Sequence, residues 1–192
     1  MGNDSSALLV SESGGISADT PDWSRERCVG FWDPGRRLLR SIRSYQKWKK
    51  RGIFLRWISK YWIFQHRFWS VITGADIPLN CDIGGGLLLT HPDGVVIFPG
   101  AVIGPNCLIF QQVTIGIGGP NPGAPVLGGH VDVGPGAKIL GGVKIGDHAR
   151  IGANAVVLQD VPRGATAVGV PARIVDARDG HEPIRDASSK IS

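Results

Sequence analysis

From Ile77 to Val157 the chain keeps a count of six. Ile77, Ile83 and Leu89 are six apart, as are Ile97, Ile103, Ile109 and Ile115, and then Leu127, Val133, Ile139, Ile145, Ile151 and Val157. A glycine follows many of them, and a small or β-branched residue often comes four after the aliphatic one, as at Cys107, Val113, Ala137, Val143, Ala149 and Ala155. A period of six matches neither the 3.6 of a helix nor the 2 of a half-buried strand. It predicts a short strand and a tight corner, repeated, with one aliphatic side chain per unit turned inward. Three units close a triangular coil, and coils stack at the spacing of paired strands, about 4.8 Å. The zone has room for four to five coils. Each coil buries its aliphatics only against its neighbours, so both ends of the stack need caps.

The rest of the chain divides around this zone. Residues 1–24 are rich in Ser, Gly and Asp without periodicity and are expected to be disordered. Residues 25–75 read as a basic, Trp-rich helical region, broken near Gly52 and ended at Gly74. Residues 76–176 are the repeat zone, and 177–192 form a polar tail. Cys28, Cys81 and Cys107 make no CxxC pair, which argues against a disulfide framework and fits a cytoplasmic protein. There is no metal-ligand spacing, so no metal is expected. The opening residues lack the basic and apolar regions of a signal peptide, and no run is apolar and long enough to span a bilayer.

The count of six fails twice. Leu89 and Ile97 are eight apart, and the two extra residues fall in "THPDG", Thr90 to Gly94. Ile115 and Leu127 are twelve apart, but Asn121 stands where the intervening aliphatic belongs, so "GIGGPNPGAP" is expected to leave the coil as an external loop. Polar interruptions of a regular stack are where function concentrates. His91, inside the first, is therefore the leading candidate. On residues alone it could equally be a corner histidine bonded to backbone. His66, His130, His148 and His181 are expected to be solvated, and Cys107 to be a packing residue.

Three stretches, "GADIPLNCDIGGGLLLTHPDGVVI", "QQVTIG" and "GAKILGGVKIGDHARIGANAVVLQDVP" with the later "AVGVPARIV", resemble the serine acetyltransferases of the hexapeptide-repeat acyltransferase family. The resemblance covers residues 74–175. It implies a mainly β fold, a left-handed parallel β-helix with a short N-terminal helical region, and an O-acetyltransferase that uses acetyl-CoA. It places the general base at His91 and the carboxylate that orients it at Asp76. A neutral imidazole suits removal of a hydroxyl proton near pH 7. It also implies a homotrimer with acetyl-CoA between neighbouring β-helices, where Pro135, Gly142 and Ala153 match small corner positions. Arg173 of "GVPARIV" matches a residue that meets the nucleotide phosphates.

The chain departs from the family where the amino acid is held. Thr90 stands where an Asp typically precedes the histidine, and "GAP", Gly123 to Pro125, stands where "RHP" is typical. The helical region is about half the family's length, and the end, "KIS", lacks the isoleucine that docks cysteine synthase. These departures favour a sugar or polysaccharide-precursor hydroxyl as acceptor, with serine as the alternative and an inactive β-helix scaffold as a remote one.

Pro34 to Ala75 contains no Asp or Glu, yet holds eleven Lys and Arg and four of the six tryptophans. Three readings fit: a helical cap with solvated charges, an interfacial helix on an anionic membrane through residues 36–69, or nucleic-acid binding. The membrane reading would put the protein at the inner face of the membrane. No nucleic-acid module is recognisable, so that partner is not expected.

Overall fold

The computed structural model describes residues 16–30, 32–49 and 56–175. The repeat zone is a parallel β-helix, each coil contributing one two- or three-residue strand to each of three sheets. The first coil holds β1 (Asp82–Ile83), β2 (Leu88–Leu89) and β3 (Val96–Ile97). The second holds β4 (Val102–Ile103), β5 (Leu108–Ile109) and β6 (Thr114–Gly116), and the third β7 (Val126–Leu127), β8 (Asp132–Val133) and β9 (Lys138–Leu140). The fourth holds β10 (Lys144–Ile145), β11 (Arg150–Ile151) and β12 (Val156–Val157). A fifth begins with Val161, bridged to Ile145, and β13 (Thr166–Val168), and is closed by β14 (Arg173–Val175), antiparallel to β13.

The residue count of six is thus a geometric one. Ile97, Ile115, Ile139 and Val157 stack inside the sheet of β3, β6, β9 and β12, and Ile77 extends that ladder through the bridge between Asp76 and Val96. Ile83, Ile103, Leu127 and Ile145 fill the second sheet, and Leu89, Ile109, Val133 and Ile151 the third, all buried. Corners close through left-handed residues one position before the small or β-branched ones. Asn106, Gln112, His130, His148 and Asn154 all take left-handed φ between 53° and 60°. At Gly84 and Gly104 an added Cβ would strike the backbone of the corner above.

Both breaks in the count are absorbed at corners. The pairing offset is 18 residues from β7 to β10 (126 to 144), 20 from β1 to β4 (82 to 102) and 24 from β4 to β7 (102 to 126). The strands on either side stay in register.

Two helices cap the first coil. In α1 (Pro34–Lys49), Leu38, Leu39 and Ile42 are buried in the same cluster as Ile77, Leu87 and Leu89. Gly35 is required there, since a Cβ would lie 2.8 Å from the Leu89 carbonyl oxygen. α2 (Arg56–Thr73) adds Trp69 to the cluster and stops at Gly74, whose φ of +65° suits a helix-ending glycine. The expected break near Gly52 lies outside the described residues.

The N-terminal segment corrects one expectation. Residues 16–24, read as part of a disordered tail, lie along the β-helix. Asn106, fully buried, accepts from Asp22 N (2.7 Å) and donates to Ser17 O (2.8 Å) and Thr20 O (2.7 Å). Ala18 is buried against Gly129, and a 3-10 turn, Trp23–Glu26, carries the chain to α1. Glu26 accepts from Gly86 N and pairs with Arg43 at 2.9 Å.

Candidate active site

The sheet of β3, β6, β9 and β12 presents an outer ladder of Asp76, Val96, Thr114, Lys138 and Val156. The corner leading into this sheet carries Asp93, Gln111, Pro135 and Ala153 on successive coils, and His91 lies two residues before Asp93 in the bend of the first coil. The corner is tied by Gln112 N to Asp93 O (2.8 Å), Gly136 N to Gln111 O (2.9 Å) and Asn154 N to Pro135 O (2.8 Å). The corner leading out of it carries Gly142 and the loop 117–124. The candidates Asp76, His91, Pro135, Gly142 and Ala153 therefore border one face of the β-helix. Arg173 sits apart, exposed on β14 at the closing end.

His91 is exposed in a bend, and the residues around it are fixed. Asp93 accepts from the Gln112 side chain (2.9 Å), and Gly94 N donates to Gly74 O (3.1 Å), tying the bend to the end of α2. Gly94 has φ +65°, and a Cβ there would run into the Gln112 amide. The two extra residues of the break thus form a rigid projection, with Pro92 against Gly35 of α1. Asp76 is exposed beside β3. It lines a groove of about 440 Å³ with Ile63, His66, Arg67, Ser70, Val71 and Leu79. Among the described residues no hydrogen bond joins its carboxylate to the His91 ring.

The corner is bare enough for an extended ligand to approach the backbone. At Gly134 a Cβ would lie 2.8 Å from Ala153 N, so successive corners pack with no side chain between them. Gly142 is exposed beneath the loop, donating to Asn121 O (3.1 Å). The loop is held by Asn121 Nδ2 to Leu158 O (3.1 Å) and carries no charged side chain.

Three features were not read from the sequence. Lys138 is the cation of the outer ladder, its ammonium donating to Gln112 O. Its place, 24 residues after Thr114 and one coil along, was countable once the loop was discounted. His130 and His148, expected to be solvated, instead pair Nδ1 to Nδ1 at 2.8 Å, and His66 Nε2 meets Ile77 O at 2.8 Å. Cys81 and Cys107 are buried, and burial pushes both thiols up to about 11, far from thiolate chemistry. Among the described residues no group of three His, Cys, Asp or Glu is placed to hold a metal.

Residues 124–159 match the family model described as bacterial transferase hexapeptide (six repeats). The serine acetyltransferase of Synechococcus elongatus is 40% identical over 127 residues, 60% of this chain and 52% of that one. That of Helicobacter pylori strain J99 is 48% identical over 106 residues, 54% of this chain and 62% of that one. The chain spans about half the length of the curated relatives it matches. Among solved structures, soybean serine acetyltransferase superposes with a TM-score of 0.62 at 38% identity, covering 74% of this chain and 57% of that one. A serine acetyltransferase in complex with CoA does so at 0.62 and 35%, covering 75% and 57%.

Proposed function

Because the chain is a serine-acetyltransferase-like member of the hexapeptide-repeat acyltransferase family, we propose that it transfers the acetyl group of acetyl-CoA to a hydroxyl, with His91 as general base. The observation that carries this is the placement of His91. It stands exposed on a rigid projection, two residues before Asp93 of the corner line that continues through Gln111, Pro135 and Ala153, beside the face that bears Asp76. His91 takes the acceptor's proton as its oxygen attacks the thioester carbonyl. The C–O bond forms, the tetrahedral intermediate collapses with loss of the C–S bond, and the imidazolium returns the proton to the thiolate. The bare corner receives the pantetheine arm, Gly142 borders its path, and Arg173 meets the phosphates. Asp76 is the orienting carboxylate, its contact with the ring tightening when the acceptor binds.

For the acceptor the order weighed from sequence is reversed. The relatives are named serine acetyltransferases, and one solved relative is a complex with serine, which supports L-serine. One observation keeps the sugar hydroxyl as a second reading: the loop 117–124 offers no charged group to an α-carboxylate. The working unit is a homotrimer. The candidate face lies open on a single chain, with Val96 40% exposed on it, and a neighbour under three-fold symmetry would complete the groove.

The test is CoA release from acetyl-CoA across an acceptor panel that includes L-serine and sugars, with wild type and His91→Ala. L-serine should give the highest kcat/KM, and His91→Ala should lower turnover by about 10² or more while folding normally. A sugar that outcompetes serine selects the second reading. A His91→Ala protein with most of its activity removes His91 from the mechanism.

A further inference from the structure

The acetyl-transfer reading leaves the outer face of α2 unused. Trp57 (77% exposed), Tyr61, Phe64 (67%), Phe68, Val71 (82%) and Ile72 are all exposed. At 3.6 residues per turn these six fall within an arc of about 100°, so they form one apolar stripe along the helix. A contiguous exposed stripe of this kind marks a contact surface rather than scattered surface apolars. Lys60 and Arg67, both exposed, flank one side of it, and the Lys60 ammonium lies 4.6 Å from the Trp57 ring centroid. The buried Trp69 and Thr73 lie on the opposite side, toward the cap.

We infer that this face docks on an anionic lipid bilayer surface. Charge decides between occupants. α2 carries Arg56, Lys60 and Arg67 and no carboxylate, so a second copy laid face to face on it would oppose like charges. A bilayer bearing negative headgroups meets the same surface with opposite charge and takes the apolar stripe into its acyl boundary. The aromatic rings suit the headgroup level, where one edge is apolar and the other wet. α2 lies on the surface rather than crossing it, as among the described residues no helix is long and apolar enough to cross a membrane. Val71 and Arg67 also line the groove that contains Asp76, so docking would set the candidate face beside the lipid. The inference stands on α2 alone and does not depend on the acetyl-transfer reading.

The full chain is sedimented with vesicles of phosphatidylcholine alone and of phosphatidylcholine mixed with phosphatidylglycerol, while tryptophan emission is recorded. Wild type should bind the anionic vesicles with a blue shift, ignore the neutral ones, and release as salt rises. Trp57→Ser/Phe64→Ser/Phe68→Ser should lose the binding. Lys60→Glu/Arg67→Glu, which alters only exposed charges, should weaken it at least about tenfold, since each cation near such a surface contributes about fivefold. The charge variant keeps the test readable if the triple variant fails to fold. Absence of wild-type binding to anionic vesicles overturns the inference, as does binding unchanged in the charge variant. A wild type that ignores vesicles while the triple variant loses its oligomeric state by light scattering assigns the stripe to a second copy instead.

Discussion

His130 and His148 hold one proton between them. Their Nδ1 atoms are 2.8 Å apart, so one donates its N–H and the other accepts, and a proton on the accepting Nδ1 would set two N–H donors against each other. Burial pushes His130 below its ordinary value of 6.5, and the charges of His148, Arg25 and Arg150 act in the same direction against the pull of Asp132. Above that value both folded and unfolded chains hold the ring neutral. As pH falls, the unfolded chain takes up the proton first, so stability should decline below about 6.5. His130→Asn, a residue that tolerates the φ of 53° found there, should flatten the decline in Tm between pH 7.5 and 5.5. An unchanged slope would remove His130 as the titrating group. This pair was within reach of the sequence, since 130 and 148 are one 18-residue coil apart. The count of six follows the aliphatics and is silent about the corner residues between them. His91 was found because it broke the count. The absence of a bond from Asp76 to His91 was beyond counting, because it depends on side-chain direction and not on coil position.

Among the elements, the N-terminal strap has the smallest sequence signal for its structural consequence. Three of its backbone groups are satisfied by the single side chain of Asn106, which also sits at φ 60° where few residues fit. Asn106→Ala would leave Asp22 N, Ser17 O and Thr20 O without that partner and place alanine in a left-handed corner. A loss of about 1–3 kcal/mol is expected. Chemical denaturation should show it, and limited proteolysis should cut residues 16–30 early while sparing the β-helix. Strap cleavage at the wild-type rate would contradict this account. The strap escapes a reading of the sequence because its hold is long-range, 84 to 89 residues away, and segments without periodicity carry no local trace of such contacts. The coils and the external loop, by contrast, were fully legible. Each rests on one inward aliphatic per hexad, and the loop on the one hexad where Asn121 replaces it.

At the scale of the whole molecule, the open candidate face predicts assembly. Light scattering should give three times the 20.4 kDa chain mass, and an active, stable monomer would contradict the trimer. The limit on that assembly lies at the far end of the stack. A parallel β-helix has no inherent length, since its last coil presents the same unpaired backbone as every coil before it and could template another molecule. β14 turns back against β13, pairing Thr166 with Val175 and Val168 with Arg173, so that edge meets a strand of the wrong polarity for another coil. With α1 and α2 over the first coil, the stack has a beginning and a stop. A fold whose geometry would otherwise permit head-to-tail filaments is thereby held to a particle of finite size.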